Sequence, residues 1–222
     1  MDTLPSHVLV TGASSGLGAA LARAYAAPGR RLTLLGRDAG RLEAVAQAVH
    51  AGGADVATAA VEVVDAAAMR AALEAAEAAR TLDLVVANAG IAASDVAAAG
   101  ADVLAVNVMG VWHTVVPALD LMAARGRGQL GLMSSLAGYR GLPRAAAYAA
   151  SKAAVRVMAE SLRAEWAPRG IRVSAICPGF VDTPLTRRNR FAMPWLLDAD
   201  DAAARIVRGL DRDRARIAFP WP

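Results

Sequence analysis

Two residue types are nearly missing from this chain. Its 222 residues contain one cysteine, Cys177, and one lysine, Lys152; the other 23 of the 24 basic side chains are arginine. A single cysteine excludes an intramolecular disulfide and fits a reducing cytosol. No His or Asn pattern stands behind Cys177, so it reads as a small buried apolar residue rather than a nucleophile. Aromatic residues make up only 5%. They do not interleave with the arginines, which argues against a single-strand nucleic-acid binder. The net charge of +4 permits anionic partners without requiring nucleic acid. The densest basic cluster, Arg187, Arg188 and Arg190, reads as solvated surface. The N-terminal stretch has no basic segment and no long apolar segment, so no signal peptide is expected. No run approaches the ~18 uninterrupted apolar residues of a membrane span. No metal site is expected. The expectation is a soluble, cytoplasmic protein.

What the chain does have is apolar residues, at 56%, and a positive mean hydropathy of +0.36. That supports a sizeable core, and the length suits one domain over residues 1–222. Short β-rich runs alternate with Ala-rich helical runs. Strands are predicted at 7–10, 31–35, within 55–64, at 82–87, 128–134 and 171–176, with a possible edge strand at 215–219. Helices are predicted at 16–27, 39–51, 66–79, about 101–124, about 147–167 and 199–210. Such alternation predicts an α/β fold: a Rossmann-type, doubly wound, mainly parallel sheet of six to seven strands with helices on both faces.

The first strand is followed by "TGASSGLG", Thr11 to Gly18. Gly12, Gly16 and Gly18 allow a tight turn and close backbone approach, and the helix N-terminus beyond them can face a pyrophosphate. Ser14 and Ser15 add hydroxyl donors. The loop lacks the lysine of a phosphate-binding P-loop, which disfavours an NTPase. The second strand ends at Gly36, followed by Arg37. An acidic residue there would serve the ribose of NAD, whereas arginine suits the 2′-phosphate of NADP. Asp38 lies past the strand end and reads as a helix N-cap. NADP(H) is therefore the preferred cofactor, with NAD(H) possible.

The other polar features fall at the same kind of junction. Asn88 follows strand four, Ser134 and Ser135 follow strand five, and Pro178 and Gly179 follow strand six. In a parallel sheet the carboxyl ends of strands share one edge, where ligands bind. Tyr148 and Lys152 are four residues apart and share one helix face. A phenol titrates near ~10 and needs a neighbouring cation to exchange protons near neutrality. Lys152 supplies a compact charge with three donors where arginine would bring a planar fork.

Together "TGASSGLG", "ANAG", Asn107 in "AVNVMG", "SSLAG", "YAASK" and "PGFVDT" resemble the single-domain short-chain dehydrogenase/reductase family. The match runs in order from residue 7 to about 185. The resemblance implies hydride transfer between NADP(H) and a carbonyl or alcohol carbon. It implies Tyr148 as general acid or base, with Ser135 on the substrate oxygen. It implies Lys152 on the nicotinamide ribose, lowering the pKa of Tyr148, and Asn107 holding a proton-relaying water. It places Gly12, Ser14, Ser15, Gly16, Leu17, Gly18, Arg37, Val63, Asn88, Ala89, Gly90, Pro178, Gly179, Val181 and Thr183 around the cofactor. Asn88 to Gly90 run beside the adenosine-side ribose and Thr183 holds the carboxamide. One departure is Glu62-Val63, where the family has Asp-Val.

Residues 183–198 are expected to form a lid. Phe191, Met193, Trp195, Leu196 and Leu197, with Leu136, Leu142 and Phe180 nearby, suit a hydrophobic small-molecule substrate. The helices bearing "VMGVWHTVV" (108–116) and residues 148–166 imply, by the same resemblance, a homodimer interface, with His113 in it or in the core. The alternative is a catalytically silent NADP-binding scaffold or sensor. Against it stand Ser135, Tyr148, Lys152 and Asn107, since a sensor needs only the cofactor loop.

Overall fold

The computed structural model describes residues 4–93, 96–189 and 191–220. Seven parallel strands form one sheet: β1 (His7–Thr11), β2 (Arg31–Gly36), β3 (Asp55–Ala60), β4 (Leu84–Ala87), β5 (Gly128–Met133), β6 (Ile171–Pro178) and β7 (Arg216–Phe219). Their order is β3-β2-β1-β4-β5-β6-β7. Central strands such as "HVLVT" are buried along their whole length, as a parallel strand covered on both faces requires.

Three helices, α1 (Gly16–Tyr25), α2 (Ala39–Ala51) and α7 (Ala199–Asp211), pack one face around Leu21, Leu32, Leu34, Val49 and Ile206. On the other face, α3 (Ala66–Ala79), α5 (Gly110–Ala123) and α6 (Ala146–Trp166) enclose Met69, Val85, Met122, Leu130 and Val155. Aspartates start three of these helices. Asp38 accepts from Arg41 N at 3.0 Å, Asp65 from Ala68 N at 2.9 Å, and Asp198 from Asp200 N at 2.7 Å. Each satisfies a backbone donor that the first turn leaves free.

The helix expected at about 101–124 starts earlier, with α4 (Val96–Leu104), and passes through a π-helical turn at Ala105–Met109 into α5. The segment Ala99–Ala123 is long and apolar enough to span a membrane by composition alone. Half of that stretch is buried in this fold, and Val111, Val115, Ala118 and Met122 face the sheet. Its apolarity is explained by the core it packs.

The chain runs outward from β1 to β3, returns to place β4 beside β1, and continues to β7. The strand order therefore reverses between β1 and β4. Connections diverge there and leave a crevice at the carboxyl edge of the sheet.

Candidate active site

The crevice is built from the turns after β1 and β4. Gly12 has φ +65°, and a Cβ on it would lie 2.8 Å from Ala89 Cα. Only glycine allows the two turns to approach this closely. Thr11 joins them: its hydroxyl accepts N–H bonds from Asn88 at 3.0 Å and Ala89 at 3.1 Å. The Asn88 amide donates to Thr11 O at 2.9 Å and Gly12 O at 3.3 Å. The expectation placed Asn88 beside a ribose. Its side-chain donors brace the glycine loop.

Ser15 is the N-cap of α1, yet its side chain makes no capping bond. Ser14 and Leu17 lie half-buried in the same loop. At the end of β2, Ser14 Oγ lies 3.4 Å from where a Cβ on Gly36 would be. Arg37 is exposed there and has no partner among the described residues. Asp38 is committed, both as the α2 cap and to Arg41 Nε at 3.0 Å. Val63 turns its side chain into the core against Gly110, and its carbonyl meets His113 Nδ1 at 3.1 Å. Its side chain is therefore committed to the core. Glu62 is exposed.

Lys152 is 3% exposed, one turn after Tyr148 on α6. Its one hydrogen bond among the described residues goes to Met133 O at 2.9 Å, which leaves two of three ammonium donors uncommitted. Burial drives its pKa down from the ordinary 10.5 to about 8. A Cβ on Gly90 would sit 3.3 Å from Lys152 Nζ and 3.2 Å from Asn107 Oδ1. The turn after β4 thus passes close against the ammonium and the Asn107 amide, an approach that glycine permits.

Asn107 lies in the π-helical turn and is fully buried. Its amide donates to Ile91 O at 2.9 Å and Ser151 Oγ at 3.0 Å, while Oδ1 accepts from Ile91 N at 2.8 Å. Both amide hydrogens are used by the protein. Any water it holds is therefore limited to the second lone pair of Oδ1 or the main-chain carbonyl.

Ser135 lies two residues past β5 and caps a short 3₁₀ turn, Leu136–Gly138. Its Oγ accepts from Ala137 N at 3.1 Å and donates to Pro178 O at 3.3 Å. Tyr148 lies within reach of it. Burial pushes the Tyr148 phenol above its ordinary 10, and a hydrogen bond with Ser135 acts the other way. Lys152 Nζ is 5.7 Å from the ring centroid and points to Met133 O.

Past Pro178, Gly179 N bonds Phe219 O at 2.7 Å, and Val181 pairs with Leu197 in an isolated bridge. Thr183 touches the glycine loop, with its Cβ 3.2 Å from where a Cβ on Gly16 would be. Its hydroxyl lies 3.2 Å from Thr186 Oγ1. The following segment is split. Leu197 packs on the core, while Phe191, Trp195 and Leu196 are exposed. Phe191 meets Phe180 edge-on at 5.9 Å. Arg187 pairs with Asp182 at 2.7 Å, and Arg190 falls outside the described residues.

Four residues at the site were not singled out from the sequence for these contacts. Thr11 clamps the two turns and Ser151 receives Asn107. Ser134 donates to Lys152 O at 2.7 Å, and Thr186 braces Thr183. Each is a small hydroxyl whose partner is distant in sequence or turned by the fold.

The sequence model described as short chain dehydrogenase matches residues 6–193. An uncharacterized oxidoreductase of Myxococcus xanthus (strain DK1622) is 41% identical over 219 residues, 96% of this chain and 87% of that protein. A galactitol 2-dehydrogenase (L-tagatose-forming) of Cereibacter sphaeroides is 41% identical over 188 residues, 82% of this chain and 73% of that protein. Among solved structures, levodione reductase aligns with a TM-score of 0.86 at 28% identity, covering 96% of this chain and 93% of that one. A short-chain dehydrogenase of Sphingobium yanoikuyae in complex with NADPH aligns at 0.88 and 25%, covering 96% and 87%. With the doubly wound sheet and its carboxyl-edge crevice, these matches make this chain a member of the short-chain dehydrogenase/reductase family of oxidoreductases.

Proposed function

We propose that the chain is an NADP(H)-dependent enzyme that interconverts a carbonyl and an alcohol on a hydrophobic small molecule. The observation that carries this is Lys152: a buried ammonium with no carboxylate partner among the described residues and two free donors, beside the close turn at Gly90. Those donors fit the hydroxyls of a nicotinamide ribose. Residues of the turns after β1, β4 and β6 fit the rest of the cofactor, which supplies the hydride when bound.

Tyr148 is the proton donor for reduction and the acceptor for oxidation. Its raised pKa keeps the phenol protonated at neutral pH, ready to protonate a carbonyl oxygen. Ser135 donates to the same oxygen as negative charge develops. It gives up its 3.3 Å bond to Pro178 O to do so, a long bond that is easily exchanged. Asn107 holds the turn at Ile91, and with it the floor beside Lys152. Arg37, free at the end of β2 with Ser14 nearby, favours the 2′-phosphate of NADP(H) over NAD(H).

Residues 1–222 act as one cytoplasmic domain, with 183–198 as the lid over the substrate. Exposed Leu136, Leu142, Phe191 and Trp195, with half-buried Phe180 beside Phe191, support an apolar substrate. Two similar proteins, a galactitol 2-dehydrogenase and a levodione reductase, support carbonyl–alcohol chemistry. Leu104, Met109, Trp112 and Val157 are 44–50% exposed on the helices of the expected homodimer face.

The test is a panel of ketones, aldehydes and alcohols with NADPH and NADH, run on wild type and Tyr148→Phe. Turnover lost in the variant supports the reading. A wild type that binds NADPH, turns over nothing and matches Tyr148→Phe would leave the silent scaffold instead. Arg37→Ala is expected to weaken NADPH binding far more than NADH binding, and an equal loss for both would sink the 2′-phosphate assignment.

A further inference from the structure

Just beyond the 3₁₀ turn that carries Ser135, Tyr139 is held by two arginines from different elements. Arg156 of α6 lies over its ring at 5.1 Å and Arg216 of β7 at 5.7 Å. Glu160 holds both guanidiniums, accepting from Arg156 at 3.0 and 3.2 Å and from Arg216 at 2.8 Å. Without that carboxylate, two cations around one ring would repel each other. With it, the four side chains tie the turn to α6 and to the edge strand.

The turn itself has little freedom. A Cβ on Gly138 would lie 2.8 Å from both the carbonyl carbon and the oxygen of Lys152, so the turn lies flat on α6. Gly138 N and Tyr139 N close it onto Ser135 O and Leu136 O at 3.0 and 3.1 Å. Its upstream end is fixed through Ser134, whose N–H bonds Ile176 O at 2.7 Å. Beyond Tyr139 the chain runs exposed through Gly141–Arg144 to the start of α6. Tyr139 is therefore the last anchored point before an exposed loop. Under it lies Cys177, 0% exposed, with its thiol in contact with the Tyr139 phenol.

The geometry points to Tyr139 as a positioning residue. Clamped by Arg156, Arg216 and Glu160, it holds the Ser135 turn in register with Tyr148 and closes the corner over Cys177. This role rests on the oxidoreductase reading above. Misplacing a reacting group by about 1 Å can lower turnover by about 100-fold. A loosened turn that still samples the right position is expected to lose about tenfold.

The experiment uses the full chain and the best carbonyl substrate of the panel. Tyr139→Ala is expected to lower kcat about tenfold, with NADPH affinity unchanged, and to let a chromogenic thiol reagent reach Cys177, the only cysteine in the chain. Tyr139→Phe keeps the ring between the guanidiniums and is expected to restore kcat. Arg216→Gln, at a half-exposed side chain, is expected to fall between the two. Wild-type kcat in Tyr139→Ala would overturn the role, whether or not Cys177 becomes reactive. So would equal losses in the Phe and Ala variants, or a parallel loss of NADPH affinity. The absence of Tyr148-dependent turnover in wild type is a different outcome. It removes the oxidoreductase reading and this role with it.

Discussion

Replacing Lys152 by methionine separates the cost of a buried charge from its use. The ammonium is 3% exposed, and its pKa falls from 10.5 in the unfolded chain to about 8 in the fold. At about 1.4 kcal/mol per pH unit, that gap is a destabilisation of about 3 kcal/mol when both states are protonated. Between pH 8 and 10.5 the unfolded chain still binds a proton that the folded chain has released, so folding stability rises with pH. Below about pH 8 the penalty is whole, and above 10.5 it is gone. Lys152→Met carries no such charge. Urea unfolding of both proteins at pH 7 and pH 10 is expected to show wild type gaining about 2.5 kcal/mol on the variant at the higher pH. The variant also loses the bond to Met133 O, worth about 1 kcal/mol. That loss is common to both pH values and drops out of the comparison. A stability difference that does not change with pH would refute the buried-ammonium argument. Lys152→Met is also expected to lose turnover, so the same side chain lowers stability and is needed for activity.

Two further substitutions test how the crevice is built. A Cβ on Gly18 would collide with Gly12 O and lie 2.6 Å from Asn88 Nδ2. Gly18→Ala is therefore expected to cost about 1–3 kcal/mol by overpacking and to weaken NADPH binding; a variant with unchanged urea midpoint and cofactor affinity would show that the loop gives way freely. Asp38→Ala removes the α2 cap and is expected to cost about 1 kcal/mol in urea unfolding while leaving the NADPH-to-NADH preference as it was. A shift in that preference would make Asp38 a cofactor ligand.

Local chemistry made most of the elements legible. The alternation of β-rich runs with Ala-rich helical runs, with Asp38 as a helix cap, placed strands and helices within a few residues of their observed ends. The long helix was harder. It starts at Val96, earlier than expected, and its π-helical turn at Asn107 is met by Ile91 and Ser151, which bond the Asn107 amide. The site was legible as a set of positions but not as contacts. Asn88 reads as a neighbour of the ribose from its motif, and the bonds of its side chain to Thr11 and Gly12 emerge only where the turn after β4 presses on the glycine loop. Likewise, the packing of the Val63 side chain against Gly110 is set by the fold and is not legible in the sequence.

By itself the sequence determined the order of elements, the glycine loop after the first strand, and the spacing of Tyr148 and Lys152 on one helix face. These depend on residues close together in the chain, where side-chain periodicity and turn chemistry act directly. Tertiary structure alone decided the state of those groups. It buried the only lysine next to Met133 O and drew its pKa down to about 8, raised that of Tyr148, and set Tyr139 between arginines of α6 and β7. Burial, and contact between residues far apart in sequence, arise only when the sheet closes and its layers pack.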